Sequence, residues 1–377
     1  MLPQFTKKII LIANYSLDNQ RSMLRYAHQL YASLERKKIS VEIVYPTIFL
    51  GHLLSPRSSL FKWLAYIDKM ILFPFLLWLR LKKEKNVIIH ICDHSNAYYS
   101  FFVHRTPCIV TCHDAGAIRG AWGDLEDCPA SFLGVWLQKL IVAGLNRADK
   151  LICVSESTRE DIIHFALSHQ SKKTSTIPNY LIPSWGKLTS RQAQKIVQSI
   201  YPNLGAFILS VGSDLERKNR ICILRTFAEV KKHQNIKLIL VGPPLSPQLK
   251  ELATQLELQE KDIVIFKEVD EITLAALYSQ AFAFLFPSRF EGFGWPVIEA
   301  QASGCPVLTS NASSLPEAAG NGAYIYDADD DQAFAAGLIQ LSNDSERANL
   351  IRKGRENSLR FSENLILTQW LKAYASL

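Results

Sequence analysis

Short apolar runs alternate with helix-like segments along the whole chain. The runs are rich in isoleucine, valine and leucine, and turns containing glycine, proline, asparagine or serine separate them from the segments that follow. Unbroken apolar runs of this length are typical of strands that are buried on both faces, and a period near 3.6 is typical of helices. The predicted strands are residues 8–13, 40–45, 87–92, 108–112, 151–154, 207–211, 237–241, 263–266, 282–286 and 307–309.

Strands that alternate with helices in this way predict parallel sheets that are covered by helices on both faces. A chain of 377 residues is too long for one ordinary hydrophobic core, so two α/β domains are expected. The segment 177–183 holds two prolines and closes the first half, which places the domain boundary near residues 180–200. Ligands of open parallel sheets bind at the carboxyl ends of the strands, so the turns there should carry the functional residues.

Composition narrows the class of protein. Hydrophobic residues make up 48% of the chain and charged residues 20%, which fits a folded globular protein and excludes a disordered one. The seven cysteines contain no Cys-x-x-Cys pair, so neither a disulfide framework nor a zinc site is indicated, and a reducing cytoplasm is expected. We expect no secretory signal before the first strand, and no apolar run reaches the roughly 18–20 residues of a membrane span.

The excess of positive over negative charge lies in the first half of the chain. Residues 1–187 hold 23 basic and 14 acidic side chains, a net charge of +9, whereas the remainder holds 19 and 21, a net charge of −2. A basic first half suits an anionic partner such as a lipid pyrophosphate or the inner surface of a membrane. Ordinary solubility charge explains it equally well.

The segment 61–85 mixes large apolar residues with basic ones around Pro74. One interpretation is an amphipathic patch that docks on anionic lipid, and the other is a helix that packs on its own sheet. The sequence leaves both open. The apolar members are Trp63, Leu64, Ile67, Ile71, Phe75 and Trp78, and the basic ones are Lys62, Lys69, Arg80, Lys82, Lys83 and Lys85.

The stretch 282–306 carries the densest candidate chemistry. A strand is followed by a loop that contains Gly292 and Gly294, which permit a positive φ, and then by a helix whose first turn suits Pro296. Glu291 lies in the loop and Glu299 about one turn into the helix, so two carboxylates lie beside the N–H groups of a helix N-terminus. This arrangement predicts a bound anion, phosphate above all, next to a group rich in hydroxyls.

The same stretch resembles the signature of glycosyltransferase family 4, the retaining nucleotide-sugar transferases of the GT-B fold. That signature has two glutamates separated by seven residues around a Gly-Phe-Gly-x-Pro core, and Glu291 and Glu299 are those glutamates here. The resemblance implies an α/β fold of two Rossmann-like domains facing each other across a cleft. Residues 1–186 would bind the acceptor, residues 187–358 would bind the nucleotide sugar, and a last helix within 359–377 would cross back to the first domain.

The resemblance also implies roles for single residues. Glu291 would contact hydroxyls of the donor sugar and Glu299 would hold the ribose of the nucleotide. Gly294, Phe293 and Trp295 lie between them in sequence and are expected to contact the same donor.

The turn after the strand 207–211 offers positive charge. Gly212 opens the turn, and Arg217 and Lys218 follow at the start of the next predicted helix. Cations are unfavourable at a helix N-terminus unless an anion is bound there. The segment resembles the Arg-Lys-Asn version of the family's phosphate-binding segment, although Ser213 stands where many members carry a further arginine.

His113 and Asp114 follow the strand 108–112 and resemble the family's His-Asp pair, which faces the donor sugar. A structural hydrogen bond is the alternative. Asp93 and His94, after the preceding strand, are a second candidate pair. In the family a glycine-rich loop after the first strand usually helps to shape the acceptor side. Residues 14–20 stand at that place here and do not have this sequence.

Three further patterns concern the nucleotide base, a metal ion and a nicotinamide cofactor. The segments 241–244 and 267–269 fall where the family holds the nucleotide base by backbone contacts, with Val269 among them, so the base itself cannot be read. Asp327 and Asp329 have the spacing of a metal-binding Asp-x-Asp motif, but they precede a helix, where acidic residues serve as caps. The Gly-x-Gly-x-x-Gly motif of nicotinamide dehydrogenases is missing.

Together these patterns predict a retaining glycosyltransferase of polysaccharide assembly. It would move a hexose, with mannose as one candidate, from a GDP- or UDP-linked donor to a glycan or lipid-linked acceptor, with no metal, no further cofactor and no nucleic acid. It would work in the cytoplasm, with peripheral contact at the inner face of an anionic membrane as a further prediction. The alternatives are a non-catalytic nucleotide-binding protein of the same fold and a GT-B epimerase or phosphorylase. The predicted catalytic residues are Glu291, His113, Lys218 and Arg217, and the predicted donor-binding residues are Glu299, Gly212, Gly294, Phe293, Trp295 and Val269.

Overall fold

The computed structural model describes residues 7–18, 20–51, 59–103, 106–125, 128–167, 173–182 and 184–377, without the side chains of residues 21 and 59–62. By their contacts these residues form two compact units. The first unit comprises the described residues up to Asn179 together with Asn364–Leu377, and the second unit comprises Tyr180–Glu363.

The first unit is built on a parallel sheet of six strands. They are β1 (Lys8–Ile12), β2 (Val41–Val44), β3 (Val87–Ile91), β4 (Cys108–Cys112), β5 (Lys150–Cys153) and β6 (Thr174–Thr176). Their order across the sheet is β2-β1-β3-β4-β5-β6, and every pairing is parallel. All five residues of β3 and of β4 are buried, which explains why their sequences are apolar apart from His90 and Thr111.

Helices connect these strands. They are α1 (Arg21–Arg36), α2 (Ser59–Ile67), α3 (Phe73–Leu81), α4 (Gly116–Ala121), α5 (Phe132–Arg147) and α6 (Glu156–Ala166). One π-helical turn, Asp68–Leu72, joins α2 to α3, and a 3₁₀ segment, His94–Phe101, follows β3.

The second unit repeats the plan. Its strands are β7 (Phe207–Val211), β8 (Lys237–Val241), β9 (Ile263–Phe266), β10 (Ala283–Phe286), β11 (Val307–Ser310) and β12 (Ala323–Tyr326), in the parallel order β12-β11-β10-β7-β8-β9. Its helices are α7 (Ser190–Ile200), α8 (Arg220–Lys231), α9 (Pro247–Gln255), α10 (Glu271–Gln280), α11 (Trp295–Ala302), α12 (Leu315–Ala319), α13 (Asp331–Gln340) and α14 (Asp344–Ser358). The last helix, α15 (Glu363–Ala375), packs almost entirely within the first unit.

The predicted α/β class, two units each with a parallel sheet, is confirmed, and all ten predicted strands are present. Two strands, β6 and β12, were missed. Both lie at the edge of their sheet and are only half-buried, and β6, with the sequence Thr-Ser-Thr, has no apolar run.

Across the segments that the structure describes, no helix is both long enough and apolar enough to cross a membrane.

Candidate active site

Two loops meet at the carboxyl edge of the second sheet because their strands, β7 and β10, are neighbours there. The loop after β10 is hydrogen-bonded to the loop after β7, and two of its groups donate to the same backbone carbonyl oxygen. The Ser288 hydroxyl donates to the carbonyl oxygen of Arg217 at 2.9 Å, and the Arg289 amide donates to the same oxygen at 2.7 Å. The predicted phosphate-binding and sugar-binding segments are therefore in contact.

The carboxylate of Glu291 is the centre of this contact. Lys218 Nζ donates to Oε1 at 2.5 Å, and Arg217 Nη1 lies 3.4 Å from Oε2. The Ser288 hydroxyl oxygen also lies 2.7 Å from Oε1, so its single proton is shared between this carboxylate and the Arg217 carbonyl. All three ionic side chains are partly buried, with exposed fractions of 11% for Glu291, 14% for Lys218 and 26% for Arg217. Three of the four predicted catalytic residues are thus brought together.

Arg217 and Lys218 do not begin a helix, contrary to the sequence prediction. They lie in a 3₁₀ turn, Glu216–Lys218, and Asn219 follows in the left-handed conformation with φ of 52° before α8 begins. The Asn219 side chain accepts from the amide of Cys222 and so caps the helix. The cations therefore lie just before the N-terminus of α8, where the Glu291 carboxylate offsets the unfavourable field of the helix dipole.

Two serines that the sequence analysis missed hold the backbone of Glu291. The Glu291 amide donates to the Ser313 hydroxyl at 2.8 Å, and the Ser314 hydroxyl donates to the Glu291 carbonyl at 2.8 Å. Ser313 has a positive φ of 48°, which is uncommon for a residue with a side chain. The loop after β11 thus fixes the backbone of Glu291, and with it the position of the carboxylate.

Gly294 is the N-cap residue of α11 and has a φ of 102°, a conformation that residues with a side chain rarely adopt. A Cβ atom there would lie 3.1 Å from Leu315 and 3.2 Å from Ala318. No side chain caps the N-terminus of this helix. Glu299 lies within the helix and is 3% exposed.

The other predicted donor-binding residues occupy different environments. Phe293 is buried, and its ring packs edge-on against Trp295 and Phe361. Its side chain therefore belongs to the core of the second unit. Val269 is half-buried in the loop between β9 and α10.

Arg220, another residue that the sequence analysis missed, supports the loops after β7 and β8. Its guanidinium is 6% exposed and donates to the carbonyl oxygens of Gly212 at 3.0 Å and Pro243 at 2.8 Å. Burial lowers the pKa of Arg220, against the attraction of Asp214. At Gly242 a Cβ atom would collide with the carbonyl oxygen of Gly212, so the two loops approach as closely as a glycine allows.

The Asp-x-Asp pattern serves the structure of the second unit. Asp329 accepts from the Arg289 guanidinium at 2.6 Å and from the Asn219 amide at 3.2 Å, and the Arg289 side chain lowers the pKa of Asp329. Asp330, rather than Asp327 or Asp329, caps α13. Within the described ranges no group of three or more His, Cys, Asp or Glu side chains could hold a metal ion.

His113 lies in the first unit, directly after β4, and is 5% exposed. Its Nε2–H donates to the carbonyl oxygen of Cys92 at 2.8 Å, so the proton of the neutral ring is on Nε2. The ring of Tyr26 packs edge-on against it at 4.7 Å. Burial lowers the pKa of His113 even though Asp93 acts to raise it.

Asp93 and His94 form a buried polar group beside His113. Asp93 accepts from the side chain of Asn14 at 2.5 Å and from the amide and hydroxyl of Ser95 at 3.0 and 2.7 Å. Burial acts to raise the pKa of Asp93, but the imidazole of His94, 3.3 Å away, and the other donors hold it well below its usual range. Asp114 instead accepts from the amide of Gly116 at 2.9 Å, which shapes the turn before α4.

Family models match both units. Residues 23–182 match the model described as Glycosyltransferase Family 4, and residues 194–357 match the model described as Glycosyl transferases group 1. The two matches together span most of the chain.

Curated relatives include several mannosyltransferases of enteric bacteria. The chain is 26% identical over 132 residues to the O-antigen chain mannosyltransferase RfbU of Salmonella typhimurium, 28% identical over 204 residues to the serotype-specific mannosyltransferase WbdA of Escherichia coli, and 27% identical over 247 residues to the O-antigen chain mannosyltransferase B of Escherichia coli. These alignments cover 35%, 50% and 63% of this chain, and 37%, 24% and 64% of the relatives. The chain thus spans less than two thirds of the length of each.

Solved structures share the fold over nearly the whole chain. Sucrose-phosphate synthase from Thermosynechococcus elongatus superposes with a TM-score of 0.76 at 20% identity, covering 98% of this chain and 99% of that one. The HepE protein of Anabaena, solved in complex with UDP and glucose, superposes with a TM-score of 0.73 at 17% identity, covering 99% and 100%. At these identities the likeness shows a common GT-B architecture.

Proposed function

This chain belongs to glycosyltransferase family 4, and we propose that it is a retaining glycosyltransferase that moves a hexose from a nucleoside-diphosphate sugar to a glycan or lipid-linked acceptor in polysaccharide assembly. The observation that carries the proposal is the cluster of Lys218, Arg217 and Ser288 around the Glu291 carboxylate. The mannosyltransferases among its relatives support mannose as the hexose and a GDP-linked donor as the first to test, with UDP-linked donors as the alternative.

The proposed chemistry needs positive charge beside the leaving group. The bond between the anomeric carbon and the diphosphate oxygen breaks, the acceptor oxygen bonds to the same face of the sugar, and the acceptor proton leaves with the diphosphate. The transition state resembles an oxocarbenium ion, so negative charge grows on the diphosphate. Lys218, Arg217 and the N-terminal amides of α11 are the groups that would stabilise that charge.

The remaining assignments follow the family resemblance. Glu291 would accept hydrogen bonds from hydroxyls of the donor sugar, and Glu299 would accept them from the ribose. The backbone at Gly212, Val269 and Phe293 would hold the nucleotide, Gly294 and Trp295 would lie beside it, and His113 would contact the donor sugar. No metal enters this scheme.

A lipid-linked acceptor would place the enzyme at the inner face of an anionic membrane. The segment formed by α2, the π-helical turn and α3 has two faces. Phe73, Leu77 and Leu81 pack into the core of the first unit. On the other face, Trp63, Ile71 and Phe75 are 60%, 65% and 53% exposed. The packed face agrees with the helix interpretation, and the exposed face is the one that would contact lipid in the other interpretation. Basic residues border the exposed face, and Lys82 Nζ lies 3.4 Å over the ring of Trp78. Such a combination favours binding to anionic lipid.

Calorimetry with GDP and with UDP, followed by turnover assays with GDP-mannose and UDP-glucose, tests the donor. We expect one nucleotide to bind and its sugar conjugate to be consumed, with the transferred sugar in the anomeric configuration of the donor. Binding without turnover of any donor in the presence of acceptor extracts would favour the non-catalytic alternative. Failure to bind either nucleotide would overturn the proposed function.

Sedimentation with vesicles tests the membrane contact separately. The protein should sediment with phosphatidylglycerol vesicles more than with phosphatidylcholine vesicles. The Ile71→Ser and Phe75→Ser variants should bind less, and Leu365→Ser, which removes an exposed apolar side chain of α15, should bind like the wild type. Equal sedimentation of all three would rule out this surface.

A further inference from the structure

A buried chain of polar side chains runs from α15 to the neighbourhood of His113. Tyr374 Oη lies 2.7 Å from Nδ1 of His90, and Nε2 of His90 lies 2.7 Å from the hydroxyl of Thr111. That hydroxyl in turn lies 3.0 Å from the hydroxyl of Tyr26. His90, Thr111 and Tyr374 are completely buried and Tyr26 is 3% exposed, so none of these bonds is exchanged for a bond to water.

The far end of this chain contacts His113. The ring of Tyr26 stands edge-on to the His113 ring, with centroids 4.7 Å apart and planes at 82°. At the other end, Trp370 of α15 stacks on His90 with centroids 4.8 Å apart. The last helix of the chain is therefore joined to the predicted sugar-contacting histidine through three side chains of the first sheet and of α1.

We propose that Tyr374, His90, Thr111 and Tyr26 are positioning residues that hold the His113 ring with Nε2–H on the Cys92 carbonyl and Nδ1 as the nitrogen offered to a ligand. The proposal deepens the function given above, because its importance for transfer rests on the role of His113 there. A neutral ring that is fixed in this way can accept a hydrogen bond from a sugar hydroxyl at Nδ1.

His90 is the central residue of this hydrogen-bonded series, because it bonds to Tyr374 on one side and to Thr111 on the other. A neutral imidazole carries one proton, so one of its nitrogens donates and the other accepts, and the bonds to Tyr374 and Thr111 must run in one direction. Removing either hydroxyl leaves a buried polar atom unpaired, and the remaining groups must rearrange to satisfy it. The bond between Tyr26 and Thr111, which helps to hold the Tyr26 ring against His113, would then weaken or change direction.

The test reads the state of the His113 ring directly. The full chain is prepared with ¹⁵N-labelled histidine, and the signals of His113 are assigned by their loss in His113→Gln. Wild-type protein at pH 7 should show His113 as one tautomer, protonated at Nε2. Tyr26→Phe keeps the ring but removes the hydroxyl, and it should give averaged nitrogen shifts and an altered titration of His113. The groups that face His113 and enter that titration are Asp93, His94, Asp114 and His90.

Two further comparisons separate positioning from general loss of stability. In His90→Gln the amide lies near the position of Nε2 and can still bond to Thr111, whereas in His90→Asn it lies near Nδ1 and cannot. His90→Gln should therefore disturb His113 less. Tyr99→Phe, at another fully buried tyrosine of the first unit that packs on Phe73, should leave the His113 signals unchanged.

Turnover gives the second readout. Tyr26→Phe and Tyr374→Phe should lower kcat by roughly tenfold to hundredfold while the KM for the donor changes by less than about threefold, since the fault lies in orientation. Wild-type tautomer and titration of His113 in folded Tyr26→Phe and Tyr374→Phe would overturn the proposal, and these two single-hydroxyl variants decide if His90→Asn does not fold. The tautomer is read without any donor, so a wild-type protein with ordered His113 and no transfer activity would count against the proposed function alone.

Discussion

Lys218 and Glu291 form a partly buried ion pair across 73 positions of sequence, with Nζ 2.5 Å from Oε1. The pair also involves Arg217 and the hydroxyl of Ser288, so one carboxylate is matched by two cations and a neutral donor. Charge-assisted hydrogen bonds of this kind are strong and directional. An incoming diphosphate would meet cations that are already oriented.

Replacing Lys218 by methionine should abolish most of the activity while the protein stays folded. The variant keeps the length of the side chain but removes the charge, and we expect turnover to fall by roughly a hundredfold to a thousandfold. Glu291→Ala should have a comparable effect. The measurement is turnover of the donor identified by calorimetry, with Lys250→Met, at an exposed position on α9, as the control. Wild-type turnover in either site variant would contradict the assigned roles.

Ser314→Ala should reduce activity without touching a charged group. Its hydroxyl donates to the carbonyl of Glu291, so its removal loosens the loop that carries the carboxylate. We expect turnover to fall about tenfold to a hundredfold and unfolding free energy to fall by about 1 kcal/mol. Ser342→Ala, which removes an exposed hydroxyl bonded to Gln234, serves as the control. Turnover equal to that of the control would show that the loop does not need this support.

Arg220→Met should lower the free energy of unfolding of the second unit, because it removes a buried guanidinium that supports two loops. The substitution removes a buried guanidinium and its hydrogen bonds to the carbonyl oxygens of Gly212 and Pro243, which we expect to cost about 2–4 kcal/mol of unfolding free energy. Urea unfolding gives the value. Arg352→Met, which breaks an exposed pair with Glu356, should change it by less than about 1 kcal/mol. A similar small change in both variants would refute the supporting role of Arg220.

Acid should destabilise the first unit through its buried histidines. Burial lowers the pKa of His90 to about 3 and also lowers the pKa of His113, whereas an unfolded histidine titrates near 6.5. Below about pH 6.5 the unfolded chain therefore binds protons that the native protein does not, and stability falls as the pH falls. We expect a loss of about 1–3 kcal/mol between pH 6.5 and 4.5.

Neighbouring groups act outside this range of pH. The pKa of His94 is raised by Asp93 in spite of burial, so its contribution is lost above about pH 6.5, and the lowered pKa of Asp93 matters below about pH 4. Urea unfolding at several pH values should give a shallower dependence for His90→Gln than for the wild type, and His233→Gln, at an exposed site, should match the wild type. An unchanged slope in His90→Gln would contradict this account.

The sequence predicts the sheets and the loop at Glu291 well because local chemistry determines them. An inner strand such as β10 is apolar on both faces because both are covered, and Gly294 favours glycine because its φ is 102°. By contrast, Ser313 and Arg220 act through partners that lie elsewhere in the chain. Their residue types are common on protein surfaces, so nothing in their own sequence neighbourhood marks them.

His90 shows the same limit more strongly. It stands within an isoleucine-rich strand, where a histidine looks like an interruption of the apolar pattern. Its partner Tyr374 lies 284 positions away, and only the packing of α15 on the first sheet reveals the bond. Side-chain networks that depend on tertiary packing leave no periodic signal in the sequence.

The first unit is discontinuous, because residues 364–377 complete it after the whole second unit has been synthesised. Tyr180–Glu363 is therefore synthesised before Trp370 and Tyr374, which pack on His90 in the first unit. The second unit can begin to fold without residues 364–377, whereas the first unit is complete only once they have been added. Loss of residues 364–377 would thus damage the unit that is encoded first.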